Sequence, residues 1–239
     1  MKRPVRIGII DSGVNAAHPH VGDIAGGIAI GPDVRGSSYV DYLGHGTAVA
    51  ALIHARAPYA ELFAVKIFHN NLTANLAQVL SAIDWCLDHE MDLINLSLGT
   101  ANSAHKPAFE AAVGRVRSSG KALVSAFEVQ GDPALPGALP GVVGVLADSA
   151  KGPGEHGVLT RSGKKVFTAC PFPRDIPGVP RERNLHGVSF AVAHTTATLS
   201  GLCRPPFPGT DWELLLANRL QAQAGGSILP YSSRTGALW

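Results

Sequence analysis

Apolar residues fall along this chain in two alternating patterns. Short apolar runs at 5–10, 61–67, 92–98, 121–126, 142–145 and 166–169 read as buried strands. A strand covered on both faces shows no polar alternation. Between these runs, apolar residues recur every three or four positions. Leu76, Val79, Leu80, Ile83 and Leu87 predict a helix from about 74 to 89, and Phe109, Ala112, Val113 and Val116 predict one at roughly 106–118. Small-residue runs after His45 and from Ser189 to Gly201 predict two further helices. Thr210-Asp211-Trp212-Glu213 reads as the capping box of a last helix ending near Leu220. Strands alternating with helices predict an α/β fold, a mainly parallel sheet with helices on both faces. Residues 13–43, 148–165 and 171–183 read as loops, and the tail from about 225 as irregular. No repeat and no linker divides the chain, so residues 1–239 are read as one compact domain.

Composition changes this picture little. With 46% hydrophobic and 16% charged residues, the chain is globular and long enough to bury a core. A net charge of +2 gives no argument for nucleic acid or an anionic membrane as partner. No apolar run is long enough to span a bilayer. Cys86, Cys170 and Cys203 form neither a CxxC nor a zinc spacing, which argues against a disulfide scaffold and fits a reducing compartment. Met1-Lys2-Arg3-Pro4 leads directly into the first strand without a signal peptide, so the expected location is cytoplasmic.

Candidate chemistry sits at three element boundaries. Asp11-Ser12-Gly13 closes the first strand, where open α/β sheets place ligands and where an Asx-turn would also serve. His45, in Gly44-His45-Gly46-Thr47, is flanked by glycines that let another backbone or a substrate approach. Ser189 follows Gly187-Val188 at the start of a helix, where free N–H groups and the dipole favour negative charge. A serine there is either an N-cap or, with a base and an acid nearby, a nucleophile. His18, His20, Asp23, Asp33 and Asp41 match no metal spacing and read as solvated loop side chains. Residues 157–165 have the wrong spacing for a phosphate loop.

Asp11, His45 and Ser189 stand in the chain order Asp…His…Ser. On these motifs the chain resembles the subtilisin-like serine peptidases. Ile9-Ile10-Asp11-Ser12-Gly13-Val14 with His18-Pro19 is similar to the family's aspartate motif. Gly44-His45-Gly46-Thr47 is similar to its histidine motif, and Gly187-Val188-Ser189-Phe190-Ala191 with His194 to its serine motif. Ile94-Asn95-Leu96-Ser97-Leu98-Gly99 resembles the strand that pairs with substrate. The resemblance runs from about residue 5 to 220 and implies a subtilisin-like three-layer fold. It implies Ser189 as nucleophile, His45 as general base and acid, and Asp11 as the group that orients His45. Backbone around Ser97, Leu98 and Gly99 would bind a peptide or protein substrate as an added strand. No cofactor and no metal is predicted.

The departures shape the expected function. Val188 and Ala193 replace a threonine and a proline usual in the serine motif, and Ala48 stands where a second histidine is common. Ala126-Phe127-Glu128 aligns with the family's Ala-Gly-Asn, whose asparagine donates to the oxyanion. Three readings of Glu128 stay open: a protonated donor, a misaligned surface residue, or a mark of weakened catalysis. Phe127 would narrow the specificity pocket, unless its ring turns into the core. The expectation is a serine endopeptidase with a specialised cytoplasmic processing role, for example leader removal from a modified peptide. The rival is a catalytically weak peptide-binding or partner subunit. An activating partner subunit would fit either, and ligation on the same acyl-enzyme is not separable from hydrolysis by sequence.

Overall fold

The structure is a computed structural model describing residues 3–31, 35–36, 38–180, 183–202 and 210–225. Asp33, Cys203 and the tail beyond Gly225 lie outside the described residues. The strands are β1 (Arg6–Asp11), β2 (Ile24–Ile30), β3 (Arg35–Gly36), β4 (Glu61–Lys66), β5 (Leu93–Leu96), β6 (Ala122–Ala126), β7 (Glu128–Val129), β8 (Asp132–Pro133), β9 (Val143–Ala147), β10 (His156–Arg161) and β11 (Lys164–Ala169). The helices are α1 (His45–Arg56), α2 (Leu76–Asp88), α3 (Lys106–Ser118), α4 (Val188–Ser200) and α5 (Trp212–Gly225).

One nine-stranded sheet runs β10-β11-β9-β6-β5-β1-β4-β2-β3. Every pairing from β11 to β2 is parallel, and β10 and β3 add antiparallel edges. Alternate residues of a strand face opposite sides, and the core follows that rule. Ile7 and Ile9 of β1, with Leu62 and Ala64 of β4, belong to the cluster that holds the buried residues of α1, α4 and α5. Ile10, with Phe63 and Val65, faces α2 and α3. Both faces are therefore covered, which explains the unbroken apolar runs. β1 lies between β4 and β5, so the strand order reverses beside it. That makes the crevice at its carboxyl end a switch point, where open α/β sheets bind ligands.

Three readings of the sequence need correction. Residues 13–43 contain strand β2, whose Gly26 and Gly27 hide the apolar pattern; Gly27 carries no Cβ because one would lie 2.3 Å from the Ala64 carbonyl. Residues 148–165 contain β10, which pairs antiparallel with β11 through a tight turn at Ser162-Gly163. Both turn residues have positive φ, as a two-residue hairpin loop requires. The last helix runs on to Gly225, and Asp211 caps it by accepting from the N–H of Leu214 (2.9 Å). Glu213 turns instead to the Lys164 ammonium and the N–H of Gly141. The predicted α2 and α3 agree with the structure to within about two residues. α2 opens on a reciprocal Asn75–Gln78 capping box.

Candidate active site

Asp11 ends β1 fully buried. His45 begins α1, entered through Gly44 in a left-handed conformation (φ 81°). The Nδ1 of His45 lies 2.7 Å from Oδ1 of Asp11, which also accepts from the N–H of Ser12 (2.7 Å). This closeness depends on Gly46. A Cβ there would lie 2.2 Å from the Gly13 carbonyl and 3.2 Å from Asp11. Instead, the N–H of Gly46 donates to Ser12 Oγ (2.9 Å), fastening the helix start to the end of β1.

Electrostatics at His45 oppose one another. Burial disfavours the charged ring, but the hydrogen bond and charge of Asp11, aided by Asp41, prevail. The pKa of His45 is therefore raised above its ordinary value. The ring also packs at 5.6 Å against that of Phe190, next to the serine.

Asp41 is buried, not a solvated loop side chain as the sequence suggests. One oxygen accepts from the N–H groups of Leu43 and Gly44, the other from the N–H and hydroxyl of Thr47. Burial pushes its pKa up, yet these four donors win and hold it below the ordinary carboxylate value. Asp41 thus satisfies the free N–H groups at the start of α1 that Gly44 cannot cap. Buried Lys66 anchors the same loop. It donates to the Val40 carbonyl (2.5 Å) and lies 4.6 Å from the Tyr42 ring centroid. Burial keeps its pKa below the ordinary lysine value.

Ser189 is the second residue of α4. Its hydroxyl donates to the carbonyl of Ser97 (3.3 Å) and, among the described residues, makes no hydrogen bond to His45. Contacts of this kind are commonly loose before substrate arrives. Ser97 follows β5 and is tied to α4 by a buried chain. Asn95 donates to the Ser97 hydroxyl (3.0 Å), and Thr196 lies 2.9 Å from Asn95 Oδ1. His194 instead lies along α4 with Nε2 3.0 Å from the Phe172 carbonyl.

The 97–99 segment is braced on both sides. Ser125 donates to the Leu98 carbonyl (2.9 Å), and Thr100 exchanges two backbone hydrogen bonds with Leu135. Gly99 presses against Ala134 and Val129, leaving no room for a Cβ. Beside it, Phe68, Leu76, Val79, Leu98 and Phe109 line an apolar cavity of about 240 Å³. Phe127 is buried, its ring against Gly144. Glu128 sits half-buried in the small β7–β8 hairpin, paired with Pro133. Cys86 and Cys170 are buried, and burial pushes the Cys86 thiol up. Among the described residues, no three His, Cys, Asp or Glu side chains cluster so as to hold a metal ion, and no helix is long and apolar enough to cross a membrane.

The supporting roles of Asp41, Lys66, Asn95 and Thr196 are not legible in the sequence. A polar Asn95 inside an otherwise apolar strand was the one visible signal, since a buried amide must find partners. Asp41, by contrast, looked like any acid in a Gly-rich loop.

Comparison with known proteins agrees with this geometry. The model of the subtilase family matches residues 2–131, which include Asp11 and His45. A thermostable alkaline protease of Halalkalibacterium halodurans is 31% identical over 216 residues, 85% of this chain and 57% of that protein. Subtilisin E of Bacillus subtilis is 28% identical over 209 residues, 81% of this chain and 51% of that protein. The chain thus spans about half the length of these two relatives. Among solved structures, a cold-adapted subtilisin-like serine proteinase superposes with a TM-score of 0.68 at 21% identity, covering 89% of this chain and 80% of that one. A lanthipeptide protease gives a TM-score of 0.70 at 17% identity, covering 89% and 79%. With its family model matched over more than half its length and its fold shared, the chain belongs to the subtilase family.

Proposed function

We propose that this chain is a serine endopeptidase specialised for processing, such as removing the leader of a ribosomally made, modified peptide in the cytoplasm. The observation that carries the catalytic part is the pair of buried Asp11 and part-buried His45, whose ring packs against Phe190, the residue after Ser189. On this reading a peptide pairs with the 97–99 segment, and Ser189 Oγ turns from the Ser97 carbonyl towards His45. The hydroxyl oxygen attacks the scissile carbonyl while its proton passes to Nε2 of His45. Asp11, bound to the other ring nitrogen, fixes the tautomer and stabilises the imidazolium. The first-turn N–H of Ser189 has no acceptor within the helix and can meet the oxyanion. The C–N bond breaks as His45 returns the proton to the leaving amine, and water then releases the acyl group by the same steps.

Replacing the oxyanion amide by Glu128 suits a slow enzyme acting on one bound peptide. One protein that shares the fold is a lanthipeptide protease. The test is cleavage of modified precursor peptides against casein. Selective precursor cleavage supports the role, and broad casein digestion contradicts it.

A second reading is a peptide-binding or partner subunit with little activity of its own. It is favoured by the Ser189–Ser97 hydrogen bond and by Glu128. Peptide binding without fluorophosphonate labelling of Ser189 would support it.

A further inference from the structure

The start of α1, residues 173–176 and residues 184–185 enclose a cavity of about 310 Å³ that the catalytic steps above do not use. Gly44, Ala48 and Ala51 form one wall, on one face of α1, and Ile176 and Leu185 belong to the other. Its size is at the small end of the ~300–1,000 Å³ typical of ligand sites. The charge of Asp41, which borders it, is already answered by four donors from its own loop and helix. His18 and His20 contact each other edge to face beside it, and the nearby Arg174 and Asp175 carry opposite charges. Nothing in this lining calls for a charged occupant.

The two framing loops also expose apolar surface. Of the ten large exposed hydrophobic residues described, six lie on them: Val40, Tyr42 and Leu43 before His45, and Ile176, Val179 and Leu185 before Ser189. Tyr42 is 78% exposed and Leu185 50%. Ile176 and Leu185 line the cavity itself, and exposed apolar surface beside a cavity marks a binding site.

Position relative to the triad identifies the occupant. The 97–99 segment runs from Ser189 towards the other cavity, beside Leu98. His45 must hand its proton to the leaving amine, so that part of the peptide passes the His45 turn. Gly44 belongs to both that turn and this cavity. From Gly44 to Ala51 the helix rises about 10 Å, roughly three residues of extended peptide.

We infer that this cavity receives a large apolar side chain from the leaving part of the substrate, at the second or third residue beyond the scissile bond. The inference rests on the endopeptidase reading. It gives Ala48 a role: a longer side chain there would project into the cavity.

The test compares wild type with Ala48→His on a peptide library randomised on both sides of the scissile bond, read by mass spectrometry, with fluorophosphonate labelling in parallel. Wild type is expected to favour Leu, Phe or Trp over Asp at one of those two positions by about 10- to 100-fold. Ala48→His is expected to lose that preference and keep the upstream one. If Ala48→His also slows labelling, Ile176→Asp on the opposite wall takes its place with the same expectation. A flat downstream profile, or a preference that survives both variants, overturns the inference while labelling still supports the peptidase reading. Absent labelling sinks that reading instead. The cavity is then read by titrating Ser189→Ala protein with a fluorescent peptide carrying Phe or Asp at the tested position. Preference for Phe, lost on adding Ala48→His, retains the site, and equal binding overturns it.

Discussion

The hydroxyl of Ser189 donates to the backbone carbonyl of Ser97 at 3.3 Å, and that carbonyl is a natural acceptor for a peptide N–H. A substrate N–H would therefore compete with the hydroxyl and free it to turn towards His45. Peptidyl phosphonates with a free N–H beside the reacting phosphorus should label Ser189 faster at saturation than their N-methyl analogues. One neutral hydrogen bond sets the scale, roughly 2- to 10-fold. Equal saturating rates, with only the affinity changed, would remove this coupling.

Asp11 holds His45 through a 2.7 Å contact and raises its pKa against the effect of burial. The general base works neutral, so labelling should rise with pH along a limb centred above about 6.5, the ordinary histidine value. Asp11→Asn removes the charge and leaves burial to act, moving that limb to lower pH and cutting the plateau rate on the order of 10⁴-fold. The stability effect has the opposite sense. A raised folded-state pKa contributes stability that is present below the unfolded pKa and lost as pH rises through the folded one. Urea denaturation of wild type and Asp11→Asn at pH 5.5 and 8.5 checks this, with the larger difference expected at 5.5.

Gly46 is where backbone geometry and chemistry meet. In Gly46→Ala the new Cβ would lie 2.2 Å from the Gly13 carbonyl, which is backbone and cannot swing aside. The helix must move away from β1, at a cost of about 1–3 kcal/mol. His45 moves with it, so labelling should fall together with the thermal midpoint. A folded variant of unchanged midpoint and labelling rate would show that the close approach is dispensable.

The parallel sheet was legible because strands buried on both faces leave unbroken apolar runs, and α2 and α3 because their apolar positions keep helical spacing. β2 escaped because Gly26 and Gly27 carry no side chains to report burial, and β10 because its Gly157-Val158-Leu159-Thr160 is only half-buried. Asp11, His45 and Ser189 could be named in sequence because each sits in a short local motif. Asp41 and Lys66 could not, since most of their hydrogen-bond partners are backbone groups that any residue supplies. Only the fold reveals that Asp41 caps the helix that His45 begins.

Glu128 occupies a short hairpin just after β6, and the resemblance of the motifs aligns it with an asparagine. An ionised carboxylate cannot donate to an oxyanion, so Glu128→Asn should raise turnover of a cleavable peptide. The loss of one such donor costs on the order of 10²–10³ in turnover, a scale that comes from a subtilisin itself. A fall in turnover on Glu128→Asn would show that Glu128 has its own part in catalysis.

The central claim is that Ser189 is an activated nucleophile served by His45 and Asp11. Fluorophosphonate labelling of the folded protein between pH 4 and 9, with Ser189→Ala alongside, tests it directly. The expected result is a single labelled site, lost in Ser189→Ala, with a rate that climbs through the raised pKa of His45 to a plateau. No labelling at any pH, or labelling that persists in Ser189→Ala, would contradict it.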